Sequence, residues 1–178
     1  LMDHLGWGKD WDLDRKTGGL KILTPFTKAE SASTRNRSKI DALLSVKRFI
    51  EKIDQEYVIL SDTNLVMNID FKSMIQYHID HEADITVLYQ TKICPNHTGL
   101  VVETDPEGRV EDAYYSTIQH TEPQNMAFGV YVLSKKLLLS MLDRAYTFGW
   151  VDFDRDFITK NISCLLYTSD AADEARSV

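Results

Sequence analysis

The stretch from Gln55 to Phe71 constrains the fold more than any other part of the chain. A short apolar run, Tyr57 to Leu60, is closed abruptly by small polar residues before Asp70 to His81 turns helical. A run this short, bounded by turn formers, reads as a buried strand. In open α/β sheets, ligands bind in the crevice beyond the carboxyl ends of the strands. Asp62, Thr63 and Asn64 therefore stand either at a ligand-binding strand end or in an ordinary connection where Asp62 caps a turn.

The flanking segments extend the pattern. Upstream, Ile40, Leu43, Leu44, Val46, Phe49, Ile50 and Ile53 recur at helical spacing, with Ser38 as N-cap and Asp41 three residues on. A helix feeding at short distance into a buried strand is half of a parallel α/β unit. Downstream, Phe71, Met74, Ile75 and Ile79 share a helix face, and Ile85-Thr86-Val87-Leu88-Tyr89 is the next strand. Helix, strand, helix, strand with short connections predicts a doubly wound α/β sheet. The second half changes character. Gly99 to Glu103, the turn Asp105-Pro106-Glu107-Gly108, and Arg109 to Tyr114 predict a β-hairpin. Asn125 to Leu133 is a further strand, in which Gly129 marks a bulge or a close backbone approach. Ser134 then caps a helix bearing Leu137, Leu138, Met141, Leu142 and Ala145.

Several side chains invite a chemical role that their context does not support. The glycines at 6, 8, 18 and 19 lie in a polar loop, Trp7 to Gly19, without the preceding strand and following helix of a phosphate cradle. Leu20 to Leu23 reads as a short strand. Arg35, Arg37 and Lys39, at the end of the polar stretch that begins at Thr27, read as solvated charge rather than an anion site. His78 and His81, three apart on a helix, have no third ligand at helical spacing and read as a solvated face. Asp152, Asp154 and Asp156 alternate at the start of a final helix. Without the glycine and distal glutamate of a calcium loop, capping is the better reading.

A net charge of -7 over 178 residues argues against a nucleic-acid or anionic-membrane surface. Cys94 and Cys164 form no spacing motif, and a cytoplasmic compartment is expected. Leu1 to Leu5 read as the remains of a helix cut by the start of the sequence. From Cys164, the run Cys-Leu-Leu-Tyr-Thr-Ser-Asp-Ala-Ala-Asp-Glu resembles the translation of a sequencing adapter. Residues 1–162 are therefore expected to form one partial domain, and 163–178 to be non-native.

The order of these elements resembles the nucleotidyltransferase domain of glucose-1-phosphate adenylyltransferase, the bacterial enzyme that makes ADP-glucose for glycogen, over about Leu1 to Ile162. The fold this implies is a Rossmann-like, GT-A-like α/β/α sandwich with a mixed, mostly parallel sheet. The family's N-terminal Gly-rich loop and C-terminal left-handed β-helix are expected to lie outside the stretch. Catalytic members read Tyr-Val-x-x-Leu-x-Gly-Asp-His-Ile-Tyr-x-x-Asp-Tyr where this chain has Tyr57 to Phe71. Counted from either Tyr57 or Asp70, the family's catalytic aspartate falls on Asn64. The resemblance gives that aspartate the task of holding magnesium, which a neutral amide does poorly. Gly-Thr-Ala-Asp-Ala becomes Ser38-Lys39-Ile40-Asp41-Ala42. The Glu-Lys-Pro whose lysine meets the sugar phosphate becomes Tyr114-Tyr115-Ser116, and the serine before the Gly-containing strand becomes Ala127. Gly99 and Asp156 match a sugar-contacting glycine and a late acidic residue.

A scaffold kept while metal, phosphate and sugar contacts are lost resembles the family's GlgD-type regulatory subunit. This implies no catalytic residue in the chain itself, and a vestigial or sensing site at Asp41, Asp62, Asn64, Gly99, Tyr115 and Asp156. It implies no metal or cofactor of the chain's own, with Mg2+ in the catalytic partner. The implied partner is the catalytic glucose-1-phosphate adenylyltransferase subunit in a hetero-oligomer, with nucleotide or sugar phosphate as ligand and neither nucleic acid nor membrane. Two alternatives stay open. One is an active sugar-1-phosphate nucleotidyltransferase holding its metal with Asp62 and Asp156, and the other is a ligand-free assembly module.

Overall fold

The structure is a computed structural model that describes residues 5–6, 8–15, 18–23, 38–63, 65–93, 98–118, 121–164 and 167–171, with only the backbone described from 163 onward. The expectations placed on residues 1–4, Trp7, Arg35, Arg37, Asn64 and Cys94 lie outside the described residues, as do those on 165–166 and 172–178. The chain divides into two units, Leu1–Arg35 and Asn36–Val178.

In the first unit a single 3-10 turn, Lys9–Trp11, follows Gly8 at φ 77. The N–H groups of Leu13 and Leu20 donate to Gly8 O and Leu13 O, each at 2.9 Å. Leu20 to Leu23 is not a strand. Among the described residues no neighbouring strand takes its N–H and C=O groups, and Ile22 and Leu23 are exposed.

The second unit is built on a six-stranded sheet: β1 (Tyr57–Leu60), β2 (Ile85–Lys92), β3 (Gly99–Thr104), β4 (Val110–Ser116), β5 (Gln124–Ser134) and β6 (Tyr167–Ala171). Its helices are α1 (Lys39–Ser45), α2 (Lys47–Lys52), α3 (Phe71–Asp80) and α4 (Lys135–Phe148), followed by a π-helical turn, Phe153–Ile158, and a 3-10 turn, Thr159–Cys164. The long strand β5 organises the sheet. It pairs antiparallel with β2 along one edge, and with β3 at Met126 and β1 at Tyr131 to Ser134 along the other. With β6 parallel to β2 and β4 antiparallel to β3, the strands β1, β2, β3 and β6 run one way and β4 and β5 the other.

The mixed sheet expected of the family is therefore present, but β1 and β2 are not neighbours. Because β5 is inserted between them, every ladder except β2–β6 is antiparallel, which corrects the simple doubly wound picture.

Side-chain alternation along the strands creates two cores. Tyr131 and Leu133 of β5 and Ile85 and Val87 of β2 pack with α1, α2, α4 and the π-helical turn. Val130, Val132 and Leu88 point to the other face and pack with Met74 of α3. Helices thus cover both faces, as a three-layer α/β/α arrangement requires.

Two helix expectations change. The predicted run from Ile40 to Ile53 is two helices broken at Val46, which has φ -105 and ψ 8. Just before the break, Ser45 Oγ donates to Ala42 O at 2.7 Å, a back-bond of the kind that bends helices. His78 is not on a solvated face. It is buried against the sheet, with Nδ1 2.8 Å from Thr86 Oγ1 and its ring edge-on to Tyr57. Only His81 is exposed, stacked on Tyr77. No helix among the described residues is long and apolar enough to cross a membrane.

Candidate functional site

Four elements converge where β1 ends. Ser38 accepts the Asp41 N–H at 3.1 Å, which fixes the start of α1 and makes Lys39 its first helical residue. From there the Lys39 ammonium reaches Asp62, just past β1, with Nζ 2.8 Å from Oδ1. The same ammonium lies 5.7 Å from the Tyr131 ring centroid and 5.2 Å from that of Phe153. Tyr131, fully buried on β5, donates its hydroxyl to Asp154 Oδ1 at 2.7 Å. Phe153 packs on Tyr131 and stacks on Phe157.

A distortion of β5 makes room for Asp62. Val87 pairs with Tyr131 but Tyr89 with Ala127, so β5 bulges between them. Gly129 sits in the bulge at φ 70, and a Cβ there would stand 2.3 Å from Asp62 Oδ2. Both alternatives read from the sequence, bulge and close approach, hold at this glycine.

The acidic stretch divides by role. Asp152 accepts the Arg155 N–H at 2.9 Å and Asp156 Oδ2 those of Val151 and Asp152 at 3.0 Å, so these two cap the turn. Burial alone raises the Asp156 carboxyl, but the Lys160 ammonium at 2.5 Å and the two backbone N–H groups outweigh it and pull the pKa to about 2. Asp154 does not cap. Burial raises its pKa, the Tyr131 hydroxyl and Lys39 oppose that rise, and Asp152 and Asp62 add to it. Asp154 thus lies within electrostatic reach of Lys39 and Asp62.

The expected site residues fall into separate groups. Asp62 stands at the centre of the cluster. Gly99 and Tyr115 lie on the β3–β4 hairpin, where Leu100 pairs with Tyr115 and Gly99 with Ser116. The Arg155 guanidinium covers the Tyr115 ring at 4.2 Å, so a cation stands beside the position where the family's lysine is missing. Asp41 is exposed on the first turn of α1. Asp156 is held in its own turn rather than turned to Asp62.

Sequence reasoning missed Lys39, read as solvated charge, and Asp154, read as a cap. The usable signals were a lysine immediately after an N-cap, and an aspartate lying between the two caps of its stretch.

The chain belongs to the nucleotidyl transferase family, whose model matches residues 4–172. Within that family, it is 27% identical over 168 residues to a glucose-1-phosphate adenylyltransferase of Clostridium perfringens (strain SM101 / Type A), covering 92% of this chain and 42% of the relative. Another of the same name, from Fusobacterium nucleatum, is 27% identical over 146 residues, covering 80% of this chain and 37% of the relative. The chain spans about two fifths of the length of the curated relatives it matches. In fold it is similar to the crystal structure of HddC from Yersinia pseudotuberculosis, with TM-score 0.57 and 16% identity over 78% of this chain and 55% of that one.

The magnesium implied by the family resemblance does not fit this cluster. Among the described residues no group of three or more His, Cys, Asp and Glu could hold a metal, and the carboxylate at the strand end is already matched by an ammonium.

Proposed function

We propose that this chain is a GlgD-type regulatory subunit of glucose-1-phosphate adenylyltransferase, catalytically deficient by itself. In this reading it keeps the nucleotidyl transferase scaffold and joins a catalytic chain in a cytoplasmic hetero-oligomer, where Mg2+ and turnover belong to the partner. The reading is carried by the ion pair at the end of β1: Lys39 neutralises Asp62 at 2.8 Å, while the catalytic-aspartate position holds Asn64. Phosphoryl-transfer enzymes need a metal to offset charge on the transferring phosphates, and neither residue offers a free carboxylate to hold one.

The vestigial site retains a sensing role in this account. The Arg155 guanidinium over the Tyr115 ring offers a cation suited to the phosphate of a nucleotide or sugar phosphate. An active enzyme using Asp62 and Asp156 is less well supported, because Asp156 is committed to two backbone N–H groups and Lys160.

The test is to assay the purified full-length chain alone with ATP, glucose 1-phosphate and Mg2+. No turnover is expected, and robust turnover would refute the proposal. A thermal shift with glucose 1-phosphate or ATP distinguishes a sensing site from a pure assembly module, since a ligand of the folded state raises apparent stability by mass action.

A further inference from the structure

We infer that His78 is a proton-operated latch on α3: when its imidazole takes up a proton in mildly acid solution, α3 leaves the sheet while β5 and α4 stay folded. The inference concerns the scaffold and does not rest on the proposed function.

The hold of α3 on the sheet depends heavily on this one side chain. Of its ten residues, Met74 and His78 alone are fully buried. By contrast α4 buries Leu138, Met141, Leu142 and Ala145, four apolar side chains that no proton can alter. His78 is 2% exposed, with Nδ1 2.8 Å from Thr86 Oγ1 on β2 and its ring centroid 5.4 Å from that of Tyr57 on β1. One of the two deep anchors of α3 is thus an ionisable group set between helix and sheet.

The end of the helix is under strain at the same place. α3 stops in a turn in which the Glu82 N–H donates to Ile79 O at 3.0 Å and the Ala83 N–H to His78 O at 3.2 Å. That closure holds Glu82 at φ 48, in the left-handed region that favours glycine. Because the strained turn grips the carbonyl of His78 itself, unseating His78 and relaxing Glu82 go together.

The direction of the effect follows from the surroundings. Burial disfavours the imidazolium, and the Asp84 carboxylate, on the turn between α3 and β2, opposes this without cancelling it. The Thr86 hydroxyl and the Tyr57 ring, facing it from β2 and β1, supply a hydrogen-bond partner and a ring edge rather than a counter-charge. The seated ring therefore holds a proton less well than an exposed one, and release takes a proton up. Release is favoured as pH falls below about 6.5 towards the lowered value of the seated ring. A ten-residue helix detached from its sheet is marginal in water, so release opens its backbone hydrogen bonds. α3 also follows the connection from β1 that carries Asp62, so its release frees one end of the candidate site.

The experiment is hydrogen–deuterium exchange on the full-length chain at pH 7.5 and 5.5, corrected for the intrinsic exchange rate, for wild type and His78→Leu. In wild type, α3 is expected to be less protected than β5 and α4 at both pH values, and its protection to fall by up to ~10-fold between them. In His78→Leu that fall is expected to vanish. Unchanged α3 protection in wild type, opening of α3 in step with β5 and α4 as one global event, or a wild-type fall retained in His78→Leu would each overturn the inference. If His78→Leu does not fold, His78→Gln, which still bonds a hydroxyl but does not titrate, takes its place with the same expectations. Wild type also decides alone: a His78 imidazole proton resonance that titrates at or above about 6.5 while α3 stays protected overturns the inference.

Discussion

Replacing Gly129 by alanine probes the geometry that sets Asp62 against β5. Two costs add. A residue with a Cβ pays ~1–2 kcal/mol to hold the left-handed conformation that Gly129 adopts at φ 70. The new Cβ would also lie 2.3 Å from Asp62 Oδ2, so the carboxylate must rotate away. That adds an off-rotamer cost of ~0.5–1.5 kcal/mol. It also gives up a Lys39–Asp62 pair whose side chains are 28% and 40% exposed, worth ~0–1 kcal/mol at such exposure. The expected total is about 1.5–4.5 kcal/mol.

An internal control is available at Gly149, the C-cap of α4. It has φ 66 with nothing within 4 Å of its Cβ position, so alanine there pays only the backbone cost. Urea unfolding of wild type, Gly129→Ala and Gly149→Ala, compared at unchanged m, isolates the clash as a difference of ~0.5–2.5 kcal/mol. Adding Asp62→Ala to Gly129→Ala should erase that excess as a non-additive term. Equal destabilisation by the two alanines would refute the close approach of Asp62.

Three further predictions concern titrating groups. The Asp156 pKa is lowered to about 2, so its contribution to stability is present above the ordinary carboxylate pKa and is lost as pH falls from about 4 to about 2. Asp156→Asn should cost ~1–2 kcal/mol near neutral pH and flatten that acid limb in melts followed by circular dichroism. Burial lowers the His78 pKa against the pull of Asp84, so protonation favours the unfolded chain. Stability should fall as pH drops below about 6.5, and His78→Leu should remove that step. Burial raises the Asp154 pKa, so its ionisation opposes folding; Asp154→Asn, which still accepts from Tyr131, should raise Tm at neutral pH relative to acid pH.

The parts of this fold legible in the sequence are those set by neighbours along the chain. Apolar spacing located α3 and α4, the short apolar runs located β1 and β2, and Asp105 to Gly108 located the hairpin. The caps at Ser38 and Ser134 are local hydrogen bonds, and both are made. Gly129 was legible because a glycine inside an apolar strand needs a reason. What escaped depends on distant pairing. Nothing in β1 or β2 declares that β5 will insert between them, since each run satisfies its N–H and C=O groups with any strand of suitable length. His78 looked solvated because its burial rests on Thr86, on another element.

The candidate site shows the same limit. Asp62 was legible from its place at a strand end, whereas Lys39, Tyr131 and Asp154 meet from a helix, a strand and a π-helical turn. No spacing rule links residues so placed.

In the proposed function, catalysis lies in a partner chain while this one modulates it. The most direct measurement is ADP-glucose formation by a full-length catalytic glucose-1-phosphate adenylyltransferase subunit, titrated with the full-length form of this chain, beside each protein alone. No product is expected from this chain alone, and the rate of the catalytic subunit is expected to change saturably as complexes form. Product formed by this chain alone, or a catalytic rate indifferent to its addition, would contradict the proposed function.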